Sequence, residues 1–208
     1  MVCKVRCGKS IKGALNYNEN KVKEGKAECI GAVNFVGEAQ HMTFHEKLVR
    51  FQNLIEGNTR AKTNTLHISL NFDVGEKLSQ NKLNQIAMTY MGKIGFGGQP
   101  YLVYQHHDAA HPHIHIVTTN IQEDGRRIGT HNLGKNLSEM ARKEVEVQFG
   151  LIKAQSKPKQ DLDFLQKVDK AVYGKSETRK TIEFPPLQID SFSSIRNVGV
   201  KVVIFRPN

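Results

Sequence analysis

Five histidines lie within residues 106–115, which read HHDAAHPHIH. They are His106, His107, His111, His113 and His115. His113 and His115 are separated by one residue in a run of strand-forming residues, and alternate side chains of a strand leave the same face. His106 ends the preceding apolar run and can reach that face across a hairpin. Three imidazoles that leave positions open for water or substrate are typical of a catalytic metal site. We therefore predict a divalent metal ion at His106, His113 and His115.

Asp108 lies in the loop between the two predicted strands. Its carboxylate can fix the tautomer of a ligand histidine through the outward ring N–H, or it can bind the metal directly. Imidazole ligands suit manganese, nickel, zinc or iron, whereas magnesium prefers oxygen. The residues alone leave Mn, Mg, Ni and Zn open. The plainer interpretation, an exposed polar hairpin, is disfavoured by the density of histidines.

Periodic apolar residues predict the elements that position this cluster. Helical spacing predicts helices over 43–56, 79–93 and 136–149, the first with Thr43 and Glu46 as a capping box. The apolar stripe predicted for the third helix is Leu137, Met140, Ala141, Val145 and Phe149. Alternation predicts a half-buried strand within 63–72, and residues 101–106 and 113–121 are predicted to pair as a hairpin. Residues 1–16 are interpreted as a short strand-like start followed by small and polar residues.

These elements predict an α+β domain over residues 1–155, an antiparallel sheet with helices on one face. Residues 156–208 are interpreted as a linker, QSKPKQ, and a C-terminal extension with an amphipathic stretch at 161–173.

The net charge of +10 comes from 30 Lys and Arg against 20 Asp and Glu. A basic surface attracts polyanions, of which nucleic acid is the commonest. The three cysteines, Cys3, Cys7 and Cys29, are few and odd in number, which favours reduced thiols. There is neither an 18-residue apolar run nor a signal-peptide core, so we expect a cytoplasmic protein without membrane insertion.

Tyr17 lies in the polar segment IKGALNYNENK, with Lys21 four residues later. The segment HISLNFDVGE follows at 67–76, and then His-x-Asp-x-x-His-x-His-x-His from 106 to 115. In this order and spacing the sequence resembles relaxases, the HUH-type nucleases of mobilisable plasmids and integrated elements, and within them the P-type mobilisation family. The resemblance covers about residues 1–155.

The resemblance implies a central antiparallel sheet of about five strands with flanking helices, in which the two histidine strands are central. It also implies that Tyr17 attacks a DNA phosphate with the help of the metal, leaving a 5′-phosphotyrosine and a free 3′-hydroxyl. His111 or Asp108 would accept the tyrosine proton. Lys21 would lower the tyrosine pKa, or simply face solvent. No nucleotide cofactor is implied.

The implied substrate is single-stranded DNA at an origin of transfer, with an accessory mobilisation protein and a coupling protein as further partners. Relatives carry a serine in the middle motif, for which this chain offers Ser69 or Asn71 on one strand face. The predicted DNA contacts are Lys21, His67, Ser69, Asn71, Arg126 and Arg127.

Three other classes of protein compete with this interpretation. A rolling-circle replication initiator uses the same chemistry but places its tyrosine after the histidines, where this chain has Tyr173. A non-enzymatic metal-stabilised DNA-binding module needs no tyrosine near the metal. A cupin-like oxygenase would want a carboxylate ligand and gives no reason for the +10 charge.

Overall fold

The structure, a computed structural model, describes residues 1–154 of the chain. Within them the element order is β1 (Val2–Gly8), α1 (Ile11–Lys23), β2 (Ala27–Val33), α2 (Phe44–Glu56), β3 (Thr65–Asn71), α3 (Gln80–Lys93), β4 (Tyr101–His106), β5 (His113–Thr119) and α4 (Leu137–Gln148). The strands form one antiparallel sheet in the order β1-β3-β5-β4-β2. The predicted fold class is confirmed. β5 is the central strand and β4 lies beside it, so neither histidine strand is at an edge.

Helices cover both faces of the sheet, and the prediction that they lie on one face is wrong. One face of β4 carries Tyr101 and Val103, which join the core formed with α3 and α4. The opposite face carries Leu102 and Tyr104, which join a second core with α1 and α2. Because β4 is apolar on both faces, each face needs a covering layer.

Helix α1 was not predicted from the sequence, although it carries Tyr17. Ser10 caps its start by accepting a hydrogen bond from the backbone N–H of Gly13 at 3.0 Å. Its buried positions are Ile11, Leu15 and Asn18. This is helical spacing, but the third position is polar, so a search for apolar periodicity finds only two members.

The predicted helices at 43–56 and 79–93 are present as α2 and α3. The capping box of α2 is complete: the backbone N–H of Thr43 donates to Glu46 Oε2 at 2.7 Å, and the backbone N–H of Glu46 donates to Thr43 Oγ1 at 3.3 Å. The predicted strands correspond to β3, β4 and β5. Strand β2 was missed because its small residues and the register shift between Cys29 and Gly31 interrupt the alternation.

Helix α4 was predicted at 136–149, but its buried face differs from the predicted apolar stripe of Leu137, Met140, Ala141, Val145 and Phe149. Leu137 and Met140 are exposed, and the buried residues are Ser138, Ala141, Arg142, Val145 and Glu146. Glu146 accepts from the Met1 amino group and from Arg142, both at 2.7 Å. The buried charges therefore compensate one another, which lets charged side chains occupy core positions.

Cys3, Cys7 and Cys29 are free thiols, as predicted. Among the helices of residues 1–154, none is long and apolar enough to cross a membrane. The linker, the amphipathic stretch at 161–173 and the rest of the extension lie outside the described residues. The boundary between residues 155 and 156 therefore stays a prediction.

We predict that a fragment of residues 1–160 unfolds cooperatively, with a melting temperature within about 5 °C of the full chain. Leu151 is buried, and the backbone N–H of Ala154 donates to Glu146 at 3.0 Å, so these residues complete the described core. Thermal unfolding followed by circular dichroism measures this. A fragment ending at residue 148 is the control and should melt lower. A non-cooperative transition in the 1–160 fragment would show that the extension is needed for folding.

Candidate active site

The hairpin of β4 and β5 brings three histidines to one face of the sheet. His106 is paired in register with His113, and His115 with Tyr104. His106 and His113 are buried and His115 is half-buried. One ring nitrogen from each histidine lies within 4.8 Å of the corresponding nitrogens of the other two. The three predicted metal ligands thus converge on one point.

In each of these rings, one nitrogen faces away from the point of convergence and lies within hydrogen-bond distance of a neighbouring residue. His113 Nδ1 lies 3.1 Å from the backbone oxygen of His111, which can only accept, so the proton is on Nδ1. His106 Nε2 lies 2.9 Å from Asn18 Oδ1, and His115 Nδ1 lies 2.8 Å from His67 Nε2.

The remaining nitrogens are open, and His106 Nδ1 is buried without a hydrogen-bond partner. A buried unpaired nitrogen is costly unless something binds it. The donor set, three imidazoles with oriented rings, fits a divalent ion.

Burial keeps His67, His106 and His115 neutral by lowering the pKa of each ring. It lowers the pKa of His106 to about 4, with the neighbouring His113 adding to the effect. Burial also lowers the pKa of His115 to about 3 and that of His67 to about 4, the latter with help from Arg6. Neutral imidazole is the form that binds a metal, so the site is ready for one at neutral pH.

Asp108 faces the open nitrogens. Its Oδ1 lies 3.4 Å from His113 Nε2 and 3.8 Å from His106 Nδ1. Its Oδ2 pairs with Lys21 Nζ at 3.0 Å, and this hydrogen bond holds the pKa of the Asp108 carboxyl below its usual value. Of the two roles expected for Asp108, this position favours contact with the metal itself, because the outward nitrogens already have other partners.

Tyr17 lies over the histidine cluster. Its ring centroid is 5.6 Å from that of His67, 5.8 Å from His115 and 6.0 Å from His106. The side chain is 46% exposed, so a macromolecular substrate can reach it. Helix α1 brings the tyrosine here, since it packs across β2, β3 and β5.

A pocket of about 440 Å³ opens beside Tyr17. Its lining includes Lys4, Arg6, Tyr17, His67, Ser69 and His115. Lys4 is paired with Ser69, and Arg6 with His67, so the basic side chains of β1 share the face of the histidines. Sequence analysis did not select Lys4 and Arg6. The signal was present, because both alternate with Cys3, Val5 and Cys7 in a strand-like segment.

The other predicted residues divide into two groups. Ser69, Asn71 and His111 form a chain of hydrogen bonds beside the cluster: Asn71 Nδ2 donates to Ser69 Oγ at 2.9 Å, and His111 Nε2 lies 3.3 Å from Asn71 Oδ1. The His111 ring contacts that of His113 at 5.3 Å between centroids.

Arg126 and Arg127 form the second group and lie in the turn beyond β5. Arg127 bridges Ile121, and Arg126 pairs with Asp124. Ile121 is roughly 20 Å along the strand direction from His115, at about 3.3 Å per residue. These arginines are therefore not brought to the cluster.

Residues 17–151 match the family model described as relaxase: MobA/VirD2-like, nuclease domain. No curated protein matches the chain. The family match spans more than half of the 208 residues and contains Tyr17, the middle strand and the whole histidine segment. This chain therefore belongs to the MobA/VirD2-like relaxase nuclease-domain family.

Proposed function

We propose that this domain nicks single-stranded DNA at an origin of transfer by a metal-dependent transesterification with Tyr17 as the nucleophile. The observation that carries the proposal is the contact of the Tyr17 ring with His106 and His115, two members of the convergent histidine set. Membership of a relaxase nuclease family supports DNA as the substrate.

His106, His113 and His115 would hold the divalent ion, with the Asp108 carboxylate beside them. When bound, such an ion polarises a phosphate oxygen and offsets the charge that develops on it. The protein's own part is to orient the three rings, so that their open nitrogens face inward.

In the proposed step, the phenolic oxygen of Tyr17 forms a bond to phosphorus and the bond from phosphorus to the 3′ oxygen breaks. The products are a 5′-phosphotyrosine and a 3′-hydroxyl, which takes up a proton and can later reverse the reaction. A free tyrosine has a pKa of about 10, so its proton must be accepted by a base or its anion favoured by a cation.

Lys21 is the candidate cation for this activation. It lies one helical turn after Tyr17 on α1, a spacing at which two helical side chains are neighbours. A positive charge nearby favours the phenolate. His111 and Asp108 were the predicted proton acceptors. Pairing with Lys21 lowers the pKa of the Asp108 carboxyl, which makes it a weak base for a phenol. His111, whose ring contacts that of His113, stays the other proposed acceptor.

The DNA strand would run past Tyr17 through the pocket that Lys4, Arg6 and Ser69 line. Two cations and a hydroxyl beside the nucleophile suit successive phosphates. Arg126 and Arg127 would contact only DNA that extends well beyond the cleavage point. The accessory mobilisation protein and the coupling protein rest on the resemblance alone.

The position of Tyr17 favours a relaxase over the two nearest alternatives. A replication initiator would use a tyrosine after the histidine segment, whereas Tyr17 precedes it and contacts the cluster. A purely structural metal module gives no reason for an exposed tyrosine over the site.

We predict that changing His113 and His115 together to Ala abolishes tight binding of Mn²⁺. The change removes two of the three converging nitrogens, and a single imidazole does not hold the ion. Isothermal titration calorimetry measures the affinity. The matched control is His107→Ala, an exposed histidine in the same segment, which should bind as the wild type does. Unchanged affinity in the double variant would refute the ligand assignment.

We predict that Tyr17→Phe blocks formation of the covalent DNA adduct and leaves DNA affinity within about threefold, because phenylalanine lacks the attacking oxygen while phosphate contacts supply most of the affinity. The measurement is a denaturing gel with labelled single-stranded origin DNA and Mn²⁺, paired with a binding assay. Replacing Lys4 and Arg6 by Gln is the converse control, which should weaken binding and its salt dependence.

Tyr173→Phe distinguishes the relaxase function from that of a replication initiator. Tyr173 lies outside the described residues, and the relaxase account predicts an unchanged adduct in this variant. An adduct that survives Tyr17→Phe and disappears in Tyr173→Phe would contradict both the nucleophile and the relaxase function.

We predict that the metal-free protein loses stability as the pH falls from about 6.5 towards 4. The folded-state pKa of His67 and of His106 is lowered to about 4, below the unfolded value of about 6.5. The unfolded chain therefore binds more protons in this window, and the free energy of unfolding decreases by at most about 1.4 kcal/mol per pH unit for each such histidine.

Urea unfolding in the presence of a chelator, at steps between pH 7 and 5, measures this slope. His115→Gln should reduce it, since the pKa of His115 is lowered to about 3. His131→Gln, at an exposed histidine, is the control and should leave the pH dependence of the unfolding free energy unchanged. A flat profile in the wild type would mean that the cluster is not neutral by burial.

A further inference from the structure

Asn18 follows the proposed nucleophile directly and is fully buried. Its side chain makes three polar contacts. Nδ2 donates to the backbone oxygen of Ala14 at 2.8 Å and lies 3.4 Å from His67 Nε2, while Oδ1 lies 2.9 Å from His106 Nε2. Ile11 and Leu15 occupy the preceding positions of the same buried face. An apolar residue would continue that face, so the amide is a polar exception that needs a reason.

The contact with Ala14 decides which way the amide faces. A backbone oxygen can only accept, so the atom that meets Ala14 is the nitrogen and the atom that meets His106 is the oxygen. An amide oxygen also only accepts. His106 must therefore carry its proton on Nε2, which leaves Nδ1 unprotonated. That nitrogen is the buried atom without a partner, and it lies 3.8 Å from Asp108 Oδ1.

We propose that Asn18 is a positioning residue, which fixes His106 as the Nε2–H tautomer, directs its Nδ1 to the metal and ties this ligand to the helix that carries Tyr17. The proposal rests on the proposed metal-dependent function. As a consequence, helix α1 positions both the nucleophile and the metal site. It carries Tyr17 on its exposed side and, through Asn18 on its buried side, orients a histidine ligand of the ion.

The hydrogen bond to His67 extends the same role. His67 Nε2 meets His115 Nδ1 at 2.8 Å and Asn18 Nδ2 at 3.4 Å. Because Asn18 Nδ2 only donates, its contact requires an unprotonated His67 Nε2. The one lone pair of that nitrogen is then shared between Asn18 Nδ2–H and His115 Nδ1–H, which leaves His115 Nε2 open. The direct bond to His106 carries the proposal, and the longer contact with His67 adds to it.

Two substitutions at position 18 separate a positioning role from simple packing. Asn18→Leu keeps the approximate size and removes the acceptor, whereas Asn18→Asp keeps an oxygen that accepts from His106. We expect Asn18→Leu to weaken Mn²⁺ binding about 10- to 100-fold, the usual loss when a partner of a ligand histidine is removed, and Asn18→Asp to stay within about threefold of the wild type. Calorimetry measures both. Asn16→Leu and Asn16→Asp, at an exposed position of the same helix, are matched controls and should leave the affinity unchanged.

The free energy of unfolding of the metal-free variants is measured as well, to distinguish a loss of packing from a loss of metal affinity. A packing residue would lose stability in both variants without a selective change in metal affinity. Wild-type affinity in Asn18→Leu, or equal losses in Asn18→Leu and Asn18→Asp, would overturn the proposal.

A second measurement needs neither metal nor a substitution at position 18. Long-range proton–nitrogen spectra of the metal-free wild type, with ¹⁵N-labelled histidine, report which ring nitrogen carries the proton, and His106→Gln identifies the signal. We expect the Nε2–H tautomer for His106, and an Nδ1–H tautomer would overturn the proposal. If the wild type binds no metal, the proposed function fails, while this spectrum still decides the role of Asn18.

Discussion

The antiparallel register of β3, β5 and β4 is the constraint on which the site depends. It pairs His106 with His113 and Ser69 with His115, and therefore stacks polar side chains from three strands on one face. The opposite face of the same strands is part of a core that includes Ile68, Ile116 and Val103. A slip of one residue would move the histidines into that core and the apolar residues into the site. Hydrophobic burial on one face thus holds the geometry of the chemistry on the other.

Helix α1 is the second component, because it carries the proposed nucleophile and meets the sheet at several points. Asn18 bonds to His106, and Lys21 pairs with Asp108 in the histidine loop. On its other side, Glu19 accepts from Lys47 of α2 at 2.8 Å and from the hydroxyl of Tyr104 at 2.6 Å. Glu19 and Lys47 are both largely buried, so removing either would leave an unpaired buried charge. Contacts with the histidine segment on one side and with α2 and Tyr104 on the other fix the position of α1, and they therefore restrict where Tyr17 can lie.

The histidine site was predictable because its signal is local. Two histidines one strand period apart and a third at the end of the preceding strand define a shared face without knowledge of the rest of the fold. The confirmed strands and helices likewise have strong period-two or helical patterns. Helix α1 was not predictable in this way, since the residue that completes its buried stripe is Asn18, whose partner His106 lies 88 positions away. Lys4 and Arg6 were overlooked because they reach the site only through the pairing of β1 with β3. The buried face of α4 depends in the same way on the Met1 amino group beside Glu146.

The central claim is that three histidines on one sheet face hold a divalent ion beside the tyrosine of α1. Anomalous diffraction from crystals loaded with Mn²⁺ tests it most directly. The account predicts one peak at coordination distance from His106 Nδ1 and from the Nε2 atoms of His113 and His115, with Asn18 still bonded to His106 Nε2 and the Tyr17 ring beside the ion. A peak elsewhere on the domain, or bound through His106 Nε2 with Asn18 displaced, would contradict it.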